Sequence, residues 1–171
     1  MLISMHETAS GTDRGITSMK ASDSGLESEV EVRALDGVPL AGSFFQPKGR
    51  PRGTVLLLSG TGIPRRFYAP FAAHLAMRGL ATLTLDYRGI GDSRPARWRG
   101  FTATKQDWAT EDASGAFGWL EDRVGHGPRF VVGHSVGGQL LGLMERPEAI
   151  DAVADTLAAH EAAPRRAPAW R

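Results

Sequence analysis

Apolar residues first alternate with polar ones and later form continuous runs. Val30 and Val32 alternate with charged neighbours, which is the pattern of a strand with one buried face. The pair Asp36 and Gly37 predicts a tight turn, and the stretch 40–45 then returns as a second strand. Two strands joined in this way predict an antiparallel hairpin at a sheet edge.

Three later runs are apolar at almost every position, as expected of strands covered on both faces: 54–58, 80–85 and 130–133. A helical segment follows the first run. In 67–78, the residues Phe67, Phe71 and Leu75 recur at a spacing of four, with Tyr68 and Ala72 beside them, which predicts an apolar helical face. A shorter helix is predicted after the third run.

A longer helix is predicted before the third run, over about 104–124. We expect it to turn an apolar stripe inward: Trp108, Ala116, Trp119 and Leu120. Gly115 and Gly118 either weaken this helix or let it approach the sheet closely.

The alternation of strands and helices predicts an α/β fold, with a doubly wound, mostly parallel sheet after the N-terminal hairpin. Ligands of such sheets bind outside the carboxyl ends of the strands. Three loops are expected to converge there: 59–64, 86–97 and 134–138.

Composition divides the chain into three parts: a disordered segment 1–27, an α/β core 28–153 and an Ala/Arg/Pro-rich tail 154–171. Met19 is as acceptable a start as Met1. Residues 147–153 resemble the approach to a sixth strand. From Ala154 the composition becomes alanine-rich, and Ile150, Val153 and Leu157 are spaced three and four apart, so we expect the chain to turn helical there.

Bulk composition is that of a single soluble domain, with 171 residues, 42% hydrophobic and 23% charged. The net charge of +1 gives no field that would attract nucleic acid or a membrane surface. Cysteine is absent, which excludes disulfides, thiol catalysis and thiolate metal sites. No apolar run reaches the roughly 18 residues of a membrane span, and no secretory pattern opens the chain, so we expect a cytoplasmic protein.

The segment after the third apolar run carries the clearest candidate chemistry. Gly133, Ser135 and Gly137 form a Gly-x-Ser-x-Gly motif between a predicted strand and a predicted helix. In that context the serine is exposed on a sharp turn, and the backbone N–H of Val136 can face a developing oxyanion. The alternative is a glycine-rich turn that serves packing, with a serine that has no catalytic role.

Two further motifs lie in register with this one. The three stretches are Leu57-Leu58-Ser59-Gly60-Thr61-Gly62, Leu85-Asp86-Tyr87-Arg88-Gly89-Ile90-Gly91-Asp92-Ser93 and Val132-Gly133-His134-Ser135-Val136-Gly137-Gly138. Their order and separation over about 28–150 resemble the α/β-hydrolase superfamily, most closely its serine aminopeptidase-like and lysophospholipase-like branch.

The resemblance implies a serine hydrolase that acts on an ester or amide of a small-molecule acyl substrate. It assigns Ser135 as the nucleophile, and the backbone amides of Val136 and Thr61 as the oxyanion hole. Ser59-Gly60 stands where the family has a His-Gly pair. The replacement of His by Ser does not affect the Thr61 donor, because that donor is a backbone amide. No cofactor and no metal are implied.

The family pattern also requires an acid and then a histidine after the serine. Too few residues follow Ser135 for the remaining strands, and His160 is the one later histidine. We therefore expect a chain truncated or frameshifted after the helix that follows the motif, with an uncovered sheet edge that favours self-association. The rival interpretation is a non-catalytic fragment that binds a ligand or partner.

Other histidines and carboxylates of the chain could replace the missing base and acid, and their positions indicate which of them fit. His134 adjoins the serine, but neighbours on a strand point to opposite faces. His74 and His126 fit surface or packing roles, and Asp86, at a strand's end, is the carboxylate with the best claim to the site. A structural or solvent-facing role is nevertheless favoured for Asp86, as it is for Asp92 and Asp112.

Other binding motifs fail on inspection. Arg65 and Arg94 stand where a dinucleotide fingerprint needs its third glycine, and no Lys-Ser/Thr follows Gly138 as a phosphate loop requires. Arg94, Arg97 and Arg99 form a small basic patch, which either meets an anionic substrate or is solvated surface.

Overall fold

The computed structural model describes residues 26–156, whose six strands form one mixed sheet. The strands are β1 (Glu27–Arg33), β2 (Pro39–Phe45), β3 (Gly53–Leu58), β4 (Leu80–Leu85), β5 (Arg129–His134) and β6 (Ala152–Thr156). Their order across the sheet is β1-β2-β4-β3-β5-β6. The hairpin β1–β2 is antiparallel, β2 joins β4 antiparallel, and all later pairs are parallel. The predicted α/β class and N-terminal hairpin are confirmed.

The helices are α1 (Ala69–Met77), α2 (Lys105–Asp107), α3 (Ser114–Val124) and α4 (Val136–Leu140). A π-helical stretch, Trp108–Ala113, joins α2 to α3. Short 3-10 turns cover Arg65–Tyr68, Gly91–Ser93, Leu141–Leu143 and Pro147–Ala149. Helices therefore fill each of the long connections between the parallel strands.

The predicted long helix corresponds to α2, the π-helical stretch and α3. It begins at Thr104, whose side chain and backbone exchange hydrogen bonds with Asp107 in a capping box. Its predicted inward side chains contribute to the main core, which also contains Leu56, Leu83 and Val131 from the sheet. A Cβ on Gly115 would lie 2.5 Å from the carbonyl oxygen of Arg33, so this glycine permits close packing on β1.

The predicted apolar face of 67–78 is wrong for its two phenylalanines, although Tyr68 and Ala72, predicted beside them, are buried. Phe67 and Phe71 are 68% and 45% exposed, whereas Ala72 and Ala76 are buried against Phe45. The reason is steric: the large ring of Phe45 already fills the space under the helix, and small alanines let α1 approach the sheet. The bulkier side chains consequently point outward.

The approach to a sixth strand, expected over 147–153, is present, but the change to helix expected from Ala154 is wrong for the part that the structure describes. Ala152–Thr156 is β6 and pairs in parallel with β5, from Phe130 opposite Ala152 to His134 opposite Thr156. An open strand edge on β5 offers backbone hydrogen bonds that outweigh the weak helical preference of this stretch. Residues 1–25 and 157–171, which hold most of the predicted disordered segment and tail, lie outside the described residues.

Within residues 26–156, no helix is long and apolar enough to cross a bilayer.

Candidate active site

The strands β3, β4 and β5 end side by side at one edge of the sheet. The register places Leu58 opposite Gly133 across β3 and β5, and Leu57 opposite Thr84 across β3 and β4. The loops that follow these strands therefore meet at the carboxyl edge, as the sequence predicts. Open parallel sheets bind ligands at this edge, which makes it the candidate site.

Ser135 lies between β5 and α4 in a backbone conformation that few residues adopt. Its φ is 54° and its ψ is −116°, and the residue is exposed. Holding a non-glycine residue there costs about 1–3 kcal/mol, so the surrounding structure must fix it. Strain of this kind is typical of functional positions.

Two close approaches fix the turn around this serine. A Cβ on Gly133 would lie 2.5 Å from the amide nitrogen of Gly138, and a Cβ on Gly137 would lie 2.3 Å from the carbonyl oxygen of Leu58. The carbonyl of Ser135 accepts a 3.0 Å hydrogen bond from Gly138. Since any larger side chain would force the two segments apart, the spacing of glycines in the motif follows from packing.

Val136 is the first residue of α4, and its side chain is buried. The amide of a first helical residue has no acceptor within its own helix. Placed directly after Ser135, this amide is available to a group bound at the serine.

Thr61 lies in a tight turn after β3. The amide of Ile63 donates to the carbonyl of Gly60 at 3.2 Å, and Gly62 has a φ of 73°. Thr61 has a negative φ, because the non-glycine residues with positive φ in the described chain are Ser135 and Arg146. This geometry is a type II turn, with Thr61 exposed at its second position.

The Thr61 turn and the Ser135 turn are joined through Tyr68. The Gly60 amide donates to the Tyr68 hydroxyl oxygen at 2.9 Å, and that oxygen lies 2.7 Å from Nδ1 of His134. A Cβ on Gly60 would lie 3.1 Å from the same Nδ1. The loop after β3 therefore rests directly against the residue that precedes Ser135.

Residues 49–169 match the family model of the serine aminopeptidases, S33, and this match covers more than half of the chain. The chain belongs to this α/β-hydrolase family. No curated protein matches it by sequence.

Solved structures share the fold of this serine aminopeptidase family member. A hypothetical protein from Pseudomonas aeruginosa has a TM-score of 0.64 at 21% identity, covering 89% of this chain and 48% of its own. The Pyrococcus furiosus esterase Pf2001 has a TM-score of 0.62 at 24% identity, covering 75% and 50%. A thermostable carboxyl esterase from Bacillus coagulans has a TM-score of 0.58 at 20% identity, covering 69% and 39%. The chain thus spans about half, or less, of the length of these structures.

No described histidine forms a hydrogen bond with Ser135. His134 is bonded through Nδ1 to Tyr68, and His74 is exposed on α1. His126 precedes β5, at the opposite end of the sheet, where it contacts the carbonyl of Val124. His160 lies outside the described residues. Within the part of this family member that the structure describes, Ser135 therefore has no histidine as a hydrogen-bond partner.

Asp86 is committed to a buried ion pair. It is 1% exposed and accepts from the amide of Arg65 at 2.7 Å, from Nη1 of Arg65 at 2.5 Å and from the amide of Asp92 at 3.0 Å. Arg65 also contacts Asp92, at 2.7 Å. Asp86 thus ties the loop after β3 to the loop after β4 and has a structural role, which is the role that sequence reasoning favoured.

A second buried arginine went unnoticed in the sequence. The backbone N–H and Nε of Arg88 donate to Asp112 at 2.8 and 2.7 Å, and its terminal nitrogens bond Asp36 in the hairpin turn. Burial raises the pKa of Asp112, whereas the hydrogen bond from Arg88 lowers the pKa of Asp36. These partners are 24 and 52 residues away from Arg88, so no local pattern could have revealed them.

The predicted basic patch lies beside a different feature. Arg94 lines a cavity of about 1030 Å³ between β1, β2 and the loop after β4, and none of Ser135, Val136 and Thr61 lines it. Arg97 and Arg99 are exposed. Arg94 therefore lines a cavity that the serine turn does not share. Among residues 26–156, no group of three potential ligands is arranged to hold a metal ion.

Proposed function

We propose that this chain carries the acyl-transfer half of a serine hydrolase site, with Ser135 as the nucleophile. The supporting observation is the strained, exposed conformation of Ser135 between β5 and α4, at the edge where the loops converge. The hydroxyl oxygen attacks the carbonyl carbon of a small-molecule ester or amide. The leaving group departs with a proton, and water later hydrolyses the acyl-enzyme.

The oxyanion of this step is held by the backbone amides of Val136 and Thr61. Both are backbone donors, so neither depends on side-chain identity. One donor of this kind contributes about 10²–10³-fold in rate, which makes the pair the larger part of the catalysis left when a base is missing. Esterases among the solved structures with this fold support an ester as the substrate class.

The general base and its orienting acid are not assigned to any described residue. Removal of a triad member leaves residual catalysis from the oxyanion hole. We therefore expect slow acylation by activated reagents rather than full turnover. The competing proposal, a non-catalytic ligand-binding protein, is favoured by the commitment of His134 and Asp86 to other partners.

Labelling with an activated fluorophosphonate tests the proposal. The wild-type chain should gain one adduct that maps by peptide mass to Ser135, and Ser135→Ala should gain none. Ser28→Ala is the matched control, because Ser28 lies in β1 at the far edge of the sheet. A folded wild-type sample that stays unlabelled would favour the ligand-binding alternative.

We also propose that the chain self-associates through β6. This strand pairs with β5 on one side, and no described strand covers its other edge. Val153 is 51% exposed, and a net charge of +1 supplies little repulsion between copies.

A further inference from the structure

One peptide group in the loop after β3 is bonded at both of its ends by tyrosine hydroxyls. Its carbonyl, from Ser59, accepts from the Tyr87 hydroxyl at 3.3 Å. Its N–H, from Gly60, donates to the Tyr68 hydroxyl oxygen at 2.9 Å. The two phenols therefore fix the plane of a single peptide unit, directly before the one that carries the Thr61 amide.

The two tyrosines are themselves held from different parts of the fold. Tyr87 is 1% exposed in the main core and stacks on Trp108, with ring centroids 5.0 Å apart. Tyr68 is 8% exposed in the turn that leads into α1 and contacts the edge of His134. Burial raises the pKa of both phenols, so each keeps its proton at neutral pH. The peptide is thus bonded by rigid groups rather than by mobile side chains.

Each phenol has a defined role as a hydrogen-bond donor or acceptor. Tyr87 donates to a carbonyl. Tyr68 accepts from an amide, so its own proton is available to Nδ1 of His134, which corresponds to the imidazole tautomer with hydrogen on Nε2. Because His134 adjoins Ser135, Tyr68 connects the loop that carries Thr61 to the strand end that carries the serine.

We propose that Tyr68 and Tyr87 are positioning residues, which clamp the Ser59–Gly60 peptide and thereby aim the Thr61 amide at the oxyanion formed on Ser135. The inference rests on the proposed function, because the amide matters only if Ser135 is acylated. Neither phenol takes part in the chemical step. A preorganised donor is effective because it needs no reorganisation when charge develops, and the clamp supplies that preorganisation.

A double-mutant cycle separates positioning from general stability. Thr61→Pro removes the amide hydrogen while suiting the second position of a type II turn, where proline is common. We expect Thr61→Pro to slow phosphonate labelling by about 10²-fold. Tyr68→Phe should slow labelling by about tenfold alone, since misplacement costs less than removal, but by less than about twofold when added to Thr61→Pro. Tyr87→Phe should behave in the same way.

The control variant is Met77→Leu, because Met77 is 66% exposed at the C-terminal end of α1, away from the clamped peptide. It should leave labelling unchanged. Equal effects of Tyr68→Phe in the wild-type and Thr61→Pro backgrounds would overturn the proposal, because the phenol would then act independently of the amide.

Amide hydrogen exchange at Gly60 tests the clamp without reference to activity. Loss of one hydrogen bond should speed exchange of this amide by about tenfold in Tyr68→Phe. If the wild-type chain fails to label, the proposed function is contradicted, and the exchange result still decides the clamp. Unchanged Gly60 exchange in Tyr68→Phe would overturn it, and faster exchange confined to the loop would support it.

Discussion

Two buried serine hydroxyls near the site differ in what they contact. Ser43 is 2% exposed and accepts from Nε of Arg65 at 3.2 Å. Ser59 is 1% exposed, and its hydroxyl has no hydrogen-bond partner among residues 26–156. A buried polar group without a partner costs about 1–3 kcal/mol, so the two hydroxyls should make opposite contributions to stability.

Alanine substitution tests this difference. We expect Ser59→Ala to raise the free energy of unfolding by about 1 kcal/mol, because it removes an unsatisfied group. Ser43→Ala, the matched control, should lower it by about 1 kcal/mol, because Arg65 loses an acceptor. Urea denaturation measures both, and destabilisation by both variants would contradict the assignment at Ser59.

The carboxylate of Asp92 gives a prediction for acid denaturation. Its hydrogen bond with Arg65 lowers its pKa below the ordinary value of 3.8. A group whose pKa is lower in the folded state stabilises the fold above its unfolded pKa, and this stabilisation is lost as the pH falls through the folded pKa. Asp92→Asn should therefore make the free energy of unfolding fall less steeply below about pH 4.

The control for that experiment is Asp122→Asn. Asp122 is exposed and forms no ion pair within the part of the chain that the structure describes. Its replacement removes one carboxylate without removing a contact. Identical pH profiles for the two variants would contradict the role of the Arg65–Asp92 pair.

At the scale of residues, the sequence predicted those arrangements whose members are close together in the chain. The strand, turn and helix around Ser135 lie within a few residues of one another, so their arrangement could be predicted. Arg65 and Arg88 could not be recognised in the same way, because their partners lie up to 52 residues away and meet them only through the sheet. The assigned roles of Ser135, Val136 and Thr61 stay predictions.

Helix α3 contains two glycines whose surroundings differ sharply. A Cβ on Gly115 would lie 2.5 Å from the carbonyl oxygen of Arg33, whereas a Cβ on Gly118 would meet nothing within 4 Å. One position is occupied by glycine for close packing, and the other has no such requirement. The sequence left both explanations open for each glycine.

This contrast predicts opposite effects of the same substitution. Gly115→Ala should lower the free energy of unfolding by about 1–3 kcal/mol through overpacking against β1. Gly118→Ala should raise it by about 1 kcal/mol, the difference in helix propensity. Thermal or urea unfolding gives the free energy of unfolding of both variants, which carry the same substitution in the same helix. Stabilisation by Gly115→Ala would show that α3 does not press on β1 as described.

At the scale of elements, the sequence predicted strands better than helix faces. Short apolar runs bounded by turn residues favour covered strands, and β3, β4 and β5 follow the predicted runs closely. The face of α1 depends on what the sheet offers beneath it, and Phe45 decides in favour of alanines. Ile150, Val153 and Leu157 have a helical spacing, but the segment between them is extended as β6 because β5 provides a pairing edge.

At the scale of the whole molecule, the outer edge of β6 predicts self-association. We predict concentration-dependent self-association in sedimentation experiments, because exposed backbone groups and Val153 favour pairing with a second copy. Val153→Lys should weaken this association by charge repulsion. Leu35→Lys is the control, since Leu35 is 58% exposed after β1, at the far edge of the sheet. A wild-type chain that stays monomeric at high concentration would contradict the prediction.

The most direct test of the account is a crystal structure of the chain after reaction with a phosphonate. We predict a covalent bond from the Ser135 hydroxyl oxygen to phosphorus, with a phosphonyl oxygen about 2.7–3.1 Å from the amide nitrogens of both Val136 and Thr61. A phosphonyl oxygen that faces solvent, or an adduct on another residue, would contradict the assignment of Ser135 and its two amide donors.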